Sequence, residues 1–325
     1  MEKNNNTQPF AISKKVLLSV YAIAPFMLFL IFLDTNFFHF FLKNTLTLTT
    51  TNSAIYVLFL ELPHIIGSFI GYADEEYVQF YRKKLFLYLP LLLSLTFFVI
   101  QMNLKIALFA YLIYTMYHSI KQQTGIARLL VGSGSYQHEV WSYSAFASAI
   151  IGNVYVFSPQ VLGEYSFTIP FQVLTLCIPL MFLTLLSYLS ILPKKSIGCM
   201  YVVSISLMLL AGYTCIFFGY FFFAIFITRF VHDVTAFIFY SVHDSNRNAI
   251  VANNFFYKFF SPLHIPLLLI TPVLGVLIAY LLQQYGIPFS QSASLLILSG
   301  FTHYYIESFM WKRDSIHRNQ LRFVA

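Results

Sequence analysis

Runs of about 20 apolar residues recur along the whole chain, and a run of that length crosses the apolar core of a bilayer as one helix. Ten such runs are placed roughly at 15–42, 52–71, 85–101, 104–120, 139–158, 168–192, 198–217, 219–243, 263–284 and 288–311. The stretch from Ile197 to Val242 is read as two spans, because a single helix of that length would far exceed the membrane. The polar segments between the runs are short. Tyr72–Lys84, Gln122–His138 and Asp244–Pro262 are the longest on one side, and Ser158–Thr168 lies on the other. The expected fold is all-α: a polytopic membrane helix bundle of about ten transmembrane helices, with residues 1–325 forming a single integral-membrane domain.

Composition agrees with this pattern. Hydrophobic residues make up 58% of the chain and charged residues only 10%, whereas a soluble domain carries about 25% charged residues. The basic residues then orient the spans, since Lys and Arg collect on the cytoplasmic side. With Lys3, Lys14 and Lys15 inside, the alternate turns also place Arg82, Lys83, Lys84, Lys121, Arg128, Lys194, Lys195, Arg247 and Lys258 inside. The tail adds Lys312, Arg313, Arg318 and Arg322, while outside loops hold only Lys43 and Lys105. Both termini are therefore expected in the cytoplasm.

The net charge of +7 follows from this topology and from attraction to anionic inner-leaflet lipid. It does not point to nucleic acid, because no basic soluble domain exists to bind it. Cys177, Cys199 and Cys215 all fall within expected spans, so no disulfide framework is indicated. Met1–Ser13 and the long first span lack the short apolar core and small-residue site of a cleaved signal, which makes the first segment a retained helix. Gly132-Ser133-Gly134-Ser135 is a flexible turn. It lacks the Lys-Ser/Thr ending and strand–helix context of a phosphate-binding loop.

The chemistry lies in the histidines. Of nine, eight (His64, His118, His138, His232, His243, His264, His303 and His317) fall at the expected cytoplasmic ends of spans. Ionisable groups are expensive in a bilayer, so a cluster at one depth needs more than packing to account for it. Glu61-Leu-Pro-His64 sets a carboxylate and an imidazole on one helix face. Glu-x-x-His is also the ligand pair of di-iron carboxylate bundles, and Pro63 loosens the backbone between them. The plain alternative is a buried Glu–His hydrogen bond. His118 and Gln122 share a face at i and i+4, an arrangement also common at helix ends. His303 and Glu307 repeat the i, i+4 spacing one to two turns below the Trp311-Lys312-Arg313 interface anchor.

A His-Asp pair occurs twice, at His232-Asp233 and His243-Asp244, 11 residues apart. Three turns bring both onto one face, yet they stand about 16 Å apart along a straight helix. His232 is expected as a ligand, with Asp233 as ligand or orienting partner and as counter-ion to Arg229. Two readings of His243 stand: a ligand drawn in by a helix break, or a surface group beside Asp244 and Arg247. His264 after Pro262 and His138 before Glu139 sit at helix starts. Asp314, His317 and Arg318 read as a solvated tail or docking patch, and His39 as an interfacial aromatic at the opposite face.

Counting turns puts His64, His232 and His303 at comparable depth, with His118 and Glu307 nearer the surface. A metal site with two ions is the expectation. Its ligands are drawn from His64, His118, His232, His243, His303, Glu61, Asp233 and Glu307, and Gln122, Asp244 and His264 stand in second rank. Imidazole and carboxylate without thiolate suit Fe, Zn or Mn.

Pro63-His64, His232-Asp233 and His303-x-x-x-Glu307 resemble the short motifs of histidine-rich integral-membrane non-haem iron and di-iron enzymes. These are the membrane desaturases and hydroxylases and, more closely, the bacterial β-carotene oxygenases of the Brp/Blh type. The resemblance covers scattered motifs, and the His-x-x-x-His and His-x-x-His-His boxes of desaturases are absent. It implies iron-dependent oxygenation, hydroxylation or desaturation of a lipophilic acyl or isoprenoid substrate, in a bacterial inner membrane. Some of His64, His118, His232 and His303 would be ligands, and Glu61, Asp233 and Glu307 would be terminal or bridging carboxylates and the catalytic groups. The 37 Phe and 23 Tyr residues would line a slot for that chain, and a cytoplasmic opening would suit a soluble electron donor. Two other classes use the same residue types. A metal-ion or proton-coupled transporter would show repeat symmetry, which this chain lacks. A b-type cytochrome with two stacked haems would need a partner helix that repeats the 11-residue spacing, and none does.

Overall fold

The computed structural model describes residues 9–48, 57–132, 134–162, 171–194, 196–285, 289–312 and 314–324. They are almost wholly helical. The main elements in chain order begin with strand β1 (Ile12–Ser13), α1 (Lys14–Asn36), α2 (Phe41–Thr45), α3 (Val57–Ile70), α4 (Glu75–Phe80), α5 (Lys84–Met102) and α6 (Leu104–Val131). They continue with α7 (Tyr136–Leu162), α8 (Phe171–Leu189), α9 (Ile197–Phe217), α10 (Phe221–Asn248), α11 (Phe255–Phe260), α12 (Leu267–Tyr285), α13 (Phe289–Met310) and strand β2 (Phe323–Val324). Each expected span overlaps one of these helices, with residues 52–56, 168–170 and 288 of the spans outside the described residues. Among the described residues, six helices (α1, α5, α7, α8, α9 and α10) are long and apolar enough to cross a membrane, while Val57–Ile70 and Leu267–Leu282 are apolar but shorter. The outward faces of α1 and α5 are themselves apolar. Phe26, Phe29 and Phe32 on α1 and Leu91, Leu95 and Phe98 on α5 are all exposed. Such faces suit lipid far better than water.

The chain forms two compact units. One holds residues 54–107 and 233–325 with the N-terminal strand, and the other holds residues 14–53 and 108–232. In the first unit α3 packs on α12 so closely that a Cβ at Gly275 would lie 2.7 Å from the Pro63 carbonyl oxygen. Only glycine permits that approach, and it fixes the segment carrying His64. The chain winds as a π-helix over Val57–Glu61 before the α-helical Leu62–Ile70. That wider turn accommodates Pro63, which cannot donate a backbone hydrogen bond. β1 pairs in parallel with β2, and Asn246 Nδ2 donates to the carbonyls of Phe10 (2.9 Å) and Gln320 (2.8 Å). The C-terminal tail is thereby folded back onto α10.

In the second unit the first span ends earlier than expected. α1 stops at Asn36, and His39 and Phe40 adopt left-handed backbone (φ 50° and 62°) before the short α2. Buried Asp34 explains the break. Its carboxylate accepts from the amides of Leu42 (2.8 Å) and Lys43 (3.0 Å) and from Tyr220 Oη (2.8 Å). Those bonds satisfy a buried charge that a continuous helix would have left unpaired. α6 runs on past the expected end near 120 through most of the expected Gln122–His138 loop, to Val131, and stops at Gly132 with φ 85°, a C-terminal position that favours glycine. The outside loop expected at Ser158–Thr168 is helical as far as Leu162, and its remainder lies outside the described residues.

Candidate metal centre

In the first unit, His64 on α3 and His303 on α13 are fully buried. Their Nε2 atoms lie 3.0 Å apart, with the rings at 85°. The partners of each Nδ1 fix the tautomers. His64 Nδ1 lies 3.0 Å from the Glu61 carbonyl oxygen and 3.1 Å from Asp233 Oδ1. Facing two acceptors, it must carry the proton. His303 Nδ1 lies 3.0 Å from Ser68 Oγ. Ser68 places its own proton on the Ile65 carbonyl at 2.6 Å, so its oxygen can only accept from His303. Both rings are thus Nδ1–H tautomers, and both Nε2 lone pairs converge on one another. Two nitrogen lone pairs facing each other at that distance repel, and a cation shared between them would relieve the repulsion.

Glu307 on α13 adds the negative charge. Its Oε2 lies 4.0 Å from His303 Nε2, and its Oε1 accepts from Tyr240 Oη and from Trp311 Nε1 (2.9 Å). The ligand atoms of His64 and His303, and those of His303 and Glu307, lie within 4.8 Å of one another. Two nitrogens bound to one ion at about 2.1 Å, at angles between 90° and tetrahedral, are about 3.0–3.4 Å apart. The observed separation suits that edge. Each imidazole also has the outer partner that metal-ligating histidines characteristically carry: carbonyl and carboxylate on His64, hydroxyl on His303. Glu61 is buried and contributes its carbonyl to His64.

In the second unit, the rings of His118 on α6 and His232 on α10 lie 5.0 Å apart at 83°. The spacing His118-x-x-x-Gln122 had suggested a pair on one face. Instead Gln122 Oε1 engages His232 Nδ1 at 3.0 Å and accepts Gln123 Nε2 at 2.9 Å. Gln123 Oε1 in turn accepts Tyr201 Oη (2.6 Å) and Tyr21 Oη (2.8 Å). This network fixes both amides, makes His232 an Nδ1–H tautomer and leaves the ring lone pair on its Nε2. Gln123, Tyr21 and Tyr201 carry no motif that would have revealed them. Arg229 reaches Ser119 Oγ at 3.3 Å.

His243 and Asp244 form a separate cluster in the first unit. α10 is continuous from Phe221 to Asn248, so no break draws His243 elsewhere. It is buried rather than exposed at a surface. Its Nδ1 bonds Asp244 Oδ1 (2.7 Å) and its Nε2 meets Tyr77 Oη (3.1 Å). Asp244 Oδ2 accepts Thr271 Oγ1 at 2.5 Å. His317 corrects the reading of a solvated tail. It is fully buried and stacks on His243 with ring centroids 4.7 Å apart and planes 14° off parallel. The apolar residues Ile316, Leu321 and Phe323 in that tail were the sequence signal for its docking. Burial, then the neighbouring His243 and Arg247, push the His317 pKa far below the usual histidine value. His138 is buried in the second unit against Tyr188 Oη (3.1 Å), and His264 is exposed in a turn with φ 53°.

Fold and site together define an all-α protein in which, among the described residues, six helices are suited to a membrane and the His64–His303 imidazole pair is buried beside the Glu307 carboxylate. No protein-family model, curated protein or solved structure matches the chain.

Proposed function

We propose that this chain is an integral-membrane metalloenzyme that oxidises a lipophilic acyl or isoprenoid substrate by oxygenation, hydroxylation or desaturation. The observation that carries the metal is the convergence of two Nε2 lone pairs on each other beside the Glu307 carboxylate. His64, His303 and Glu307 would hold an ion in the first unit. Asp233 and Ser68 would orient the two rings, and Tyr240 and Trp311 would aim the carboxylate. His232 and His118 offer a second pair, with His232 oriented by Gln122. The donor set is imidazole and carboxylate without thiolate, which favours iron, with zinc or manganese as the other fits. Bound iron would supply the one-electron and oxygen chemistry that side chains lack. The burial of both rings excludes bulk water from the pair.

The topology proposed with it is ten spans with both termini in the cytoplasm, in a bacterial inner membrane, with a soluble donor supplying electrons. A haem held between His64 and His303 fits poorly, since the 3.0 Å between their Nε2 atoms would leave no room for a macrocycle. A metal- or proton-coupled carrier is the second reading, because a single proton can also lie between the two nitrogens.

The test is expression in iron-replete cells, followed by mass spectrometry of the lipid extract. Products that gain oxygen or lose two hydrogens with wild type, and not with His303→Ala, support the enzyme. Metal or proton flux in vesicles without any such product would replace it with the carrier.

A further inference from the structure

The first unit holds a second buried cluster, built on Tyr77 of α4 and His243 of α10. Tyr77 Oη lies 3.1 Å from His243 Nε2. The other side of the imidazole fixes its tautomer. Nδ1 lies 2.7 Å from Asp244 Oδ1, and a carboxylate oxygen accepts, so the ring proton is on Nδ1. Nε2 is left as an acceptor, and the Tyr77 hydroxyl donates to it. Thr271 Oγ1 donates to Asp244 Oδ2 at 2.5 Å and holds the carboxylate in place. A carboxylate on Nδ1–H stabilises the imidazolium that forms when Nε2 takes a proton, and 3.1 Å is within proton-transfer reach. Other Tyr–His contacts lack this carboxylate. His138, beside Tyr188, has the Ser142 hydroxyl at 3.4 Å on its second nitrogen, and the second nitrogen of His317, beside Tyr81, has no hydrogen-bond partner among the described residues.

His317 is fully buried and stacks on both partners, its ring centroid 3.9 Å from that of Tyr77 and 4.7 Å from that of His243, which shields the phenol from water. The Trp311 ring meets His243 edge-on at 5.8 Å, and its Nε1 donates to Glu307 Oε1 at 2.9 Å. Phenol, imidazole and indole therefore stand in a row that ends on a carboxylate proposed as a metal ligand. We propose that Tyr77 is a one-electron donor to the metal held by Glu307, with His243 accepting its proton and Trp311 carrying its electron; this rests on the metal reading of that centre. The oxidant is the metal after reaction with O2. The Tyr77 O–H bond breaks, an N–H bond forms at His243 Nε2, and one electron passes to the oxidised centre. A neutral tyrosyl radical remains beside an imidazolium paired with Asp244. A soluble one-electron reductant then returns an electron to the radical as the Nε2 proton goes back to its oxygen, so both residues end unchanged. Tyr77 lies one side chain beneath the surface, where Arg247 covers its ring at 4.9 Å and binds the exposed Glu76.

The experiment has two arms on the detergent-purified full chain, both read by electron paramagnetic resonance. In the first, chelator-treated protein is oxidised by a flash-excited ruthenium tris-bipyridyl complex with persulfate as electron acceptor. Wild type is expected to give a long-lived neutral tyrosyl radical coupled to an imidazole nitrogen and an exchangeable proton. Tyr77→Phe should lose it. His243→Phe, which keeps a ring in the stack but takes no proton, should lose the imidazole coupling and the long life of the radical. In the second arm, protein loaded with ferrous iron is mixed with O2 and freeze-quenched, and the same radical should form in wild type and not in Tyr77→Phe. No such radical in chelator-treated wild type overturns the proposal whether or not the variants fold. So does one that survives Tyr77→Phe. The light-driven radical without the O2-driven one, in a chain that elemental analysis shows to hold iron, overturns Tyr77 as donor to the metal. The light-driven radical in a chain that holds no iron overturns the metal reading and the metal as oxidant, while Tyr77 and His243 stand as a redox pair.

Discussion

His64 and His303 face each other through their Nε2 atoms at 3.0 Å, each with its Nδ1 proton already engaged by an oxygen. The outer partners should therefore control the pair without touching a bound ion. Ser68→Ala removes the acceptor that orients His303, and Asp233→Asn removes the charge that orients His64. Each should weaken metal affinity about 10–100-fold, with the smaller loss for Asp233→Asn, because the amide oxygen still accepts. Chelator competition on purified protein measures both. Affinity unchanged in both variants would show that the rings are held by packing alone.

The buried His317 predicts a pH dependence of stability. Its folded pKa lies below the ordinary value of 6.5, because of burial first and then His243 and Arg247. Tyr72, Tyr77 and Tyr81 also face it, and burial raises the Tyr72 pKa far above the ordinary value. Tyr77 and Tyr81 are raised by burial as well, Tyr81 to about 12, so all three stay neutral below pH 7. The unfolded chain thus binds a proton that the folded one refuses. Stability is intact above the unfolded value and falls as pH drops below it, by at most about 1.4 kcal/mol per unit from this one group. Thermal unfolding between pH 7.5 and 5 should show the loss, and His317→Phe, which keeps a ring in the stack, should flatten it. An unaltered slope in the variant would assign the titration elsewhere.

Asp74 offers a way to damage the fold without altering the site. It is buried, caps α4 through the Glu76 amide (3.0 Å) and pairs with Arg247 Nε at 2.7 Å. Asp74→Ala loses both the cap and one of the two carboxylates on the Arg247 guanidinium, with Glu76 Oε2 (2.5 Å) left as the other. A cost of about 2–4 kcal/mol is expected. Metal content per folded chain should stay at the wild-type level, as elemental analysis of the monodisperse fraction would show. Loss of metal with Asp74→Ala would mean that the centre depends on this distant network.

Much of this architecture was legible in the sequence, because apolar length alone marks a helix that must be buried or lie in lipid. The His303–Glu307 proximity was legible as well, since i, i+4 spacing sets neighbours on one helix. Partner choice across helices was not. Gln122 shares a face with His118, yet its oxygen goes to His232, because the neighbouring Gln123 amide and two tyrosines fix it there. Ser68, Tyr240 and Trp311 reach their partners only through packing between helices. The break after Asn36 depends on Asp34 finding amide donors that a hydrophobic pattern does not register. His317 lies past the last helix, where periodicity gives no sign that the chain turns back.

Metal content tests the central claim most directly. Elemental analysis of wild type purified without chelator from iron-replete cells should give at least roughly one ion per chain, and His64→Ala/His303→Ala should give almost none. Wild type with less than about a fifth of an ion per chain, still folded and monodisperse, would contradict the account and leave a shared proton as the link between the two rings.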